Sequence, residues 1–197
     1  MTFTAPVLNY AQLAPMLIVL AGALIGVLIE AFAPRASRHT SQLFIAVASL
    51  VAAFAALVRV RNQSSVDAAM GSVGFDGAGV LLQGTILIIA LLSVFLIADQ
   101  ENFTALAAAV PGSSEERESL QLDLRVTEVY PLTLFAVAGM LLFPVSTDLI
   151  TLFVALEMLS LPLYLMAGLS RRRRLMSQES ALKYFLLGAF SSAFFLF

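Results

Sequence analysis

Six long apolar stretches, separated by short polar or charged segments, dominate the sequence. A helix needs about twenty mostly apolar residues to cross the ~30 Å hydrocarbon layer of a bilayer. Windows of that length predict spans at residues 14–33, 43–60, 79–98, 129–145, 149–168 and 181–197. The pattern predicts an all-α fold, a polytopic transmembrane helix bundle.

The first and last stretches decide how the ends of the chain are interpreted. No Lys or Arg precedes Arg35, and the first apolar run is longer than that of a signal peptide, so we read it as a retained span. The sixth stretch is still apolar at Phe197. We therefore expect residues 1–197 to be a single, truncated membrane domain at the N-terminus of a longer protein. The alternative is a natural terminus just after the span.

Composition supports a membrane protein and excludes several other classes. The 197 residues are 60% hydrophobic and 12% charged, whereas soluble domains are ~45–50% apolar and ~25% charged. The chain has no cysteine and one histidine, which argues against disulfides, iron–sulfur clusters, haem and zinc. Its net charge of −2 leaves no basic footprint for nucleic acid.

The loop arginines predict the orientation, because basic residues accumulate on the cytoplasmic side. With the N-terminus outside, the outer loops carry only Arg59 and Arg61. The inner loops then carry the other eight arginines: Arg35, Arg38, Arg117, Arg125 and the run Arg171–Arg174. We read that run as a topology anchor, with binding of anionic lipid or a partner as the alternative.

Residues 99–128 form the longest polar segment and hold most of the acidic residues. We expect a cytoplasmic insertion with a short interfacial helix around Asn102–Val110 and a solvated centre at the Pro111–Ser114 breaker. A binding role is the alternative. After the fourth span, Ser146, Thr147 or Asp148 can cap the fifth helix.

Small residues four apart mark two helix faces: Gly22 with Gly26, and Gly188 with Ser192. Such faces let helix backbones approach closely in lipid. We expect packing within the chain, and dimerisation is the alternative.

Three ionisable residues fall within predicted spans rather than at their ends, and each needs a partner or water there. We read Glu30 as interfacial, near Arg35. Lys183 can pair with Glu179 or extend to the interface, and the helix rise puts it ~13 Å from Glu157 along the bundle, too far for a direct salt bridge. Glu157 lies ~12 Å and ~16 Å from the two ends of its span, at the midplane.

A polar stripe leads from Glu157 towards the predicted cytoplasmic side. Ser160, Tyr164 and Gly168 share its helix face, whereas Phe153 and the other residues towards the outer side are apolar. This pattern is typical of a proton path that reaches half-way across a membrane. The alternative is that Glu157 joins two helices as a neutral, hydrogen-bonded acid.

Two runs of residues resemble a known family. Residues 148–164 (DLITLFVALEMLSLPLY) and 179–193 (ESALKYFLLGAFSSA) are similar to the fifth-helix and sixth-helix signatures of subunit N of bacterial NADH-quinone oxidoreductase, respiratory complex I. The match is specific from about Tyr130 onward.

The resemblance implies a non-redox, antiporter-like subunit that moves protons, with about fourteen helices. Its neighbours would be other membrane-arm subunits, including further antiporter-like ones, in the bacterial plasma membrane. Flavin and iron–sulfur clusters would belong to partner subunits. Glu157 matches the family's fifth-helix glutamate and Lys183 its sixth-helix lysine, whereas the seventh-helix lysine would lie beyond Phe197. Alternatives are a subunit of a cation/proton antiporter or membrane hydrogenase, and a purely structural assembly subunit.

Overall fold

A computed structural model describes residues 8–61, 68–99, 114, 127–169 and 174–197. These residues form six α-helices, with a 3-10 turn at Phe143–Val145 between the fourth and fifth. The helices are α1 (Tyr10–Phe32), α2 (Arg35–Val60), α3 (Gly77–Ala98), α4 (Val129–Leu142), α5 (Leu149–Leu169) and α6 (Arg174–Leu196). The predicted all-α fold is confirmed.

Four of the helices, α1, α2, α3 and α6, begin earlier than the apolar windows. α2 starts at Arg35, directly after Pro34, which adopts an extended conformation, and its first turns are polar. α6 starts at Arg174, well before residue 181. An apolar window marks the part of a helix that lipid would cover, whereas the backbone hydrogen bonds continue into the polar flanks.

The first four helices share one buried core. α1, α2 and α3 each turn a stripe of buried residues, spaced mostly three or four apart, towards the others, whereas α4 is buried on most of its sides. The largest fully buried apolar side chains come from all four helices and from the turn after α4: Val19, Leu50, Leu87, Val94, Leu134, Leu141 and Val145. We call α1–α4 the four-helix unit.

The last two helices form an antiparallel pair at the edge of this unit. α5 packs against α4, and α6 packs mainly against α5. At the joint, Gly139 of α4 lies so close to α5 that an added Cβ would stand 2.5 Å from the backbone nitrogen of Leu159 and 2.9 Å from the carbonyl oxygen of Ala155. A glycine is required there because backbone faces backbone.

Among the described residues, four helices are long and apolar enough to cross a membrane: α1, α3, α5 and residues Ser37–Val60 of α2. The chain is a multi-pass membrane protein. Residues Val129–Val145 form a shorter apolar segment, so the predicted spans at 129–145 and 181–197 stay predictions. The predicted interfacial helix at 102–110 and Arg171–Arg173 lie outside the described residues.

At one end of the bundle, three connections are joined by backbone hydrogen bonds, and we call this the loop seam (residues 8–9, 68–74 and 145–147). Asn9 N–H donates to the Ala68 carbonyl at 2.9 Å, and Gly74 N–H donates to the Val145 carbonyl at 2.9 Å. The chain start, the α2–α3 loop and the α4–α5 turn therefore share one end, as the predicted alternation of spans requires.

Candidate functional site

Glu157 lies in the middle of α5, eight residues from its start and twelve from its end. The helix rise puts it ~12 Å and ~18 Å from those ends. Its side chain is half-buried and faces α6, where the Ser192 hydroxyl donates a hydrogen bond to Glu157 Oε1. The predicted mid-helix carboxyl is thus held by a neutral hydroxyl. The spacing of small residues predicts Ser192 as a packing residue and gives no sign of this contact.

The predicted stripe on α5 follows the interface with α6. Beyond Glu157, the Tyr164 ring covers Gly188. A Cβ added to Gly168 would lie 3.4 Å from the Ala181 side chain. The small residues of α6 thus meet side chains of α5 within the chain. The prediction of close backbone approach at Gly188 is wrong, because the Tyr164 side chain fills that space.

Small residues on α1 also pack within the chain. Gly22 faces Ser49 of α2, and an added Cβ on Gly26 would lie 3.0 Å from both Gln42 Oε1 and Pro131 Cβ. Both positions are buried between helices of the four-helix unit. Packing within the chain, the reading expected for this face, is confirmed.

Tyr164 and Ser160 differ in their surroundings and in the hydrogen bonds that they can still form. Tyr164 is buried, and its ring makes edge-on contacts with Tyr184 at 4.7 Å and Phe185 at 5.8 Å between centroids. The Ser160 hydroxyl donates to the Leu156 carbonyl at 2.7 Å. Since a hydroxyl has one proton, Ser160 keeps its lone pairs for a further partner but no donor.

Lys183 is not brought to Glu157. Its Nζ lies 2.5 Å from Glu179 Oε1, and the two side chains are 69% and 62% exposed. Lys183 precedes Ser192 by nine residues on α6, or ~13 Å along the axis. That offset agrees with the separation between Lys183 and Glu157 expected from the sequence. The Tyr164–Tyr184 contact lies between Lys183 and Ser192 along the helix axis.

The opposite side of Glu157 is apolar, as predicted. One helical turn earlier on α5, Phe153 stacks on Phe195 with centroids 6.3 Å apart and planes at 22°. This aromatic pair contributes no hydrogen-bonding group to the interface. The polar side chains therefore continue from Glu157 in one direction along α5.

Asp148 caps α5, one of the three residues the sequence offered for that role. Thr151 N–H donates to Asp148 Oδ1 at 2.8 Å, and the Thr151 hydroxyl donates to Oδ2 at 2.7 Å. These hydrogen bonds, first the backbone one, hold the pKa of Asp148 below its usual value of 3.8. The carboxylate also satisfies a donor that the helix start leaves unpaired.

A second polar cluster lies at the end of α1 opposite the loop seam, centred on Glu30. Arg38 donates to Glu30 Oε1 at 3.1 Å, whereas Gln42 at 3.1 Å and Thr127 at 2.7 Å donate to Oε2. Gln42 is 1% exposed and also donates to the Gly26 carbonyl. We call these four side chains the Glu30 cluster. The basic partner of Glu30 is Arg38, which lies one turn beyond Arg35 and faces α1.

No group of three or more His, Asp or Glu side chains that could hold a metal ion occurs in the described part of the chain. The groups at the site are the carboxyl of Glu157, the hydroxyls of Ser160 and Ser192 and the phenol of Tyr164.

Comparison with known proteins identifies relatives along the whole chain. Residues 146–197 match the family "NADH:quinone oxidoreductase/Mrp antiporter, TM". NADH-quinone oxidoreductase subunit N of Acidothermus cellulolyticus is 54% identical over 98% of this chain and 38% of its own length. The chain resembles subunit N throughout. Subunit N of Rhodococcus opacus is 51% identical over 100% of this chain and 41% of its own length. Subunit N 3 of Streptomyces griseus is 47% identical over 100% of this chain and 38% of its own length.

The structural comparison agrees with these relatives. Respiratory complex I from Thermus thermophilus, solved with bound aureothin, contains a chain that matches 92% of this one with a TM-score of 0.65 and 28% identity. The match covers 34% of that chain. The resemblance predicted from the two signatures is confirmed, and the chain spans about two fifths of the length of the subunit N relatives.

Proposed function

We propose that this chain is part of a proton-translocating, non-redox membrane-arm subunit of NADH-quinone oxidoreductase. Its proton movement would be coupled to electron transfer from NADH to a quinone, with flavin and iron–sulfur clusters in partner subunits. Its partners would be the other membrane-arm subunits, including neighbouring antiporter-like ones, in a bacterial plasma membrane. The similarity to subunit N over the whole chain supports this proposal.

The observation that carries the proposal is the Glu157–Ser192 contact. A hydroxyl can donate to a carboxylate and can accept from a carboxylic acid, so Ser192 serves both protonation states. Glu157 can thus gain or lose a proton without losing its partner. A positive charge brought to ~7 Å would favour release of that proton by about 2.4 kcal/mol at an effective dielectric of ~20.

Lys183 is the second proposed proton-transfer residue. Its pairing with Glu179 keeps it about 13 Å from the Glu157 level, so water must complete the path. Tyr164 and Tyr184 lie between them, and Ser160 can contribute only as an acceptor. We assign proton transfer to Glu157 and Lys183, with Tyr164 and Ser160 as the inlet.

Three variants separate a proton site from a hydrogen bond that only joins helices. Glu157→Gln keeps an amide that can bond to Ser192 but removes the acid, so we expect quinone-linked proton pumping to fall by at least about tenfold, as for lost acid–base groups. Glu157→Asp keeps an acid and retains part of the pumping. Ser192→Ala removes the hydrogen bond but keeps the acid, and it should pump better than Glu157→Gln.

The measurement is proton uptake in vesicles with the reconstituted complex at matched enzyme content. NADH oxidation with an artificial acceptor controls for assembly. Full pumping by Glu157→Gln, or a Ser192→Ala defect as deep as that of Glu157→Gln, would leave Glu157 as a joining residue in a structural subunit.

We also propose that the N-terminus and the loop seam face outward. The excess of arginines in the other loops supports this orientation. Exposed positions at opposite ends test it, namely Met70→Cys at the seam and Ser37→Cys at the start of α2. An impermeant thiol reagent added outside should label Met70→Cys alone. Labelling of Ser37→Cys instead would reverse the orientation.

A cation/proton antiporter subunit is the second candidate, because the matching family description also covers Mrp antiporters. Proton movement driven by a sodium gradient without NADH would favour it. Proton movement that requires NADH and quinone favours the first proposal.

A further inference from the structure

A polar cavity opens at the loop-seam end of the four-helix unit. Its lining residues are distant in sequence from Glu157. Its volume is about 320 Å³. Its walls include Gln12, Val60, Arg61, Phe75, Asp76 and Val80, from the first turn of α1, the end of α2 and the start of α3. Arg61 and Asp76 are exposed at its edge, whereas Gln12, Phe75 and Val60 are 0%, 5% and 6% exposed.

Gln12 is the unusual member of this wall. Its side chain is fully buried, yet neither its amide nitrogen nor its amide oxygen has a hydrogen-bond partner among the described residues. Leaving such a buried donor or acceptor unsatisfied costs about 1–3 kcal/mol. A carboxamide kept at a buried position therefore indicates a partner that occupies the cavity.

A neighbouring carboxamide has a protein partner for its nitrogen, although its oxygen has none among the described residues. Gln83 on α3 is also 0% exposed, and its Nε2 donates at 2.8 Å to the carbonyl of Leu141, one of the last carbonyls of α4. Such terminal carbonyls have no partner within their own helix. Gln83 thus has a protein partner for its nitrogen, whereas Gln12 faces the cavity.

We propose that this cavity is a hydrated site in which the Gln12 carboxamide binds ordered water. A water molecule takes about 30 Å³ in the liquid and needs two to four polar partners. The cavity has room for several, and Gln12, Arg61 and Asp76 supply donors and acceptors of both kinds. Asp76 already accepts from Gly79 N–H at 2.6 Å with Oδ1, which leaves Oδ2 for water.

The consequence is that water enters the four-helix unit at the seam end, beside the first turn of α1. This site is separate from the proton-binding role proposed for Glu157, and its test does not depend on pumping. The contrast is the groove between α1, α4 and α5, lined by apolar residues including Leu13, Met16 and Met158, which offers water no partner.

Cysteine accessibility tests the proposal, because the chain contains no cysteine of its own. Gln12→Cys is compared with Val19→Cys, which is equally buried at 0% on the same helix, and with Met70→Cys, which is 72% exposed. The full-length protein in membranes is treated with a charged, impermeant methanethiosulfonate from the seam side. Reaction needs the thiolate, which forms only where water reaches the sulfur.

We expect Gln12→Cys to react within about tenfold of Met70→Cys, and Val19→Cys at least about a hundredfold more slowly, since only a hydrated thiol ionises. Equal, slow reaction of Gln12→Cys and Val19→Cys would overturn the proposal and indicate a cavity closed by protein.

A second measurement uses the unmodified protein, in case Gln12→Cys does not fold. Radiolysis of bound water oxidises side chains beside it. Phe75 in the cavity wall is 5% exposed, and Met16 in the apolar groove is 7% exposed. Methionine is easily oxidised, so greater labelling of Phe75 than of Met16 supports bound water. Labelling of Met16 alone contradicts it.

Discussion

The four-helix unit and the α5–α6 pair differ in how they are held together. The unit has a common core, the loop seam at one end and the Glu30 cluster at the other. The pair has three buried residues on α5, and most large apolar side chains of α6 are exposed. Helices in lipid associate through close packing and polar contacts. The four-helix unit has both. The α5–α6 pair depends on the close contact of α5 with Gly139 of α4 and on the interface between α5 and α6, which includes Glu157.

Gly139→Ala would break the joint between the two regions, and we expect the largest effect from it. The new methyl group would lie within 2.9 Å of backbone atoms of α5, which cannot rotate away. Overpacking of this kind costs about 1–3 kcal/mol, and we expect the upper end. The free energy of unfolding, measured by SDS titration of the purified protein, gives the cost.

Gly84→Ala is the matched control. Its added Cβ would lie 3.7 Å from the Leu57 side chain, an ordinary contact. We expect no loss, or a gain of up to about 1 kcal/mol from helix propensity. Equal stability of the two variants would mean that α4 and α5 are not in close backbone contact.

Removing an acidic partner from each region should sharpen the comparison. Glu30 and Arg38 are 18% and 26% exposed, and Glu30 accepts from three side chains. Glu179 and Lys183 are mostly exposed. We expect Glu30→Ala to cost about 2 kcal/mol and Glu179→Ala less than about 0.5 kcal/mol. Thermal unfolding at low and high salt measures both, and a larger loss for Glu179→Ala would contradict the ranking.

The smallest expected effect concerns the start of α5. The pKa of Asp148 is lowered in the folded chain by its bonds to Thr151, so its stabilising effect is present above the ordinary value of 3.8 and is lost as the pH falls through the folded pKa. The melting temperature of the wild type should exceed that of Asp148→Asn at pH 6. The difference should shrink towards pH 3, and a constant difference would refute the assignment.

The sequence predicted the helices because apolar length is a local property. The apolar windows found all six, and the 3.6-residue period placed Glu157, Tyr164 and Gly168 on one face. The i,i+4 spacing also gave the Glu179–Lys183 pair. These features depend on one helix at a time.

Contacts between helices were harder to predict from the sequence, because they depend on the register of one helix against another. Ser192 is one of several small residues on α6, and nothing in the sequence aligns it with Glu157. Gly139 has no small partner four residues away, so no spacing marked it. The sequence also does not show which arginine pairs with Glu30. Because α2 begins immediately after Pro34, Arg38 is turned towards α1.

The contacts that close the four-helix unit also set an order of assembly. Glu30 and Thr127 are 97 residues apart in the chain, and at ~5–20 residues per second a ribosome needs about 5–20 s to make that stretch. Glu30 therefore waits, without Thr127, while α2 and α3 are inserted. The α5–α6 contacts join neighbours in sequence and form as soon as α6 appears. All residues of the four-helix unit are thus made before α5 and α6, although its contacts have the longer sequence separations, which slow folding.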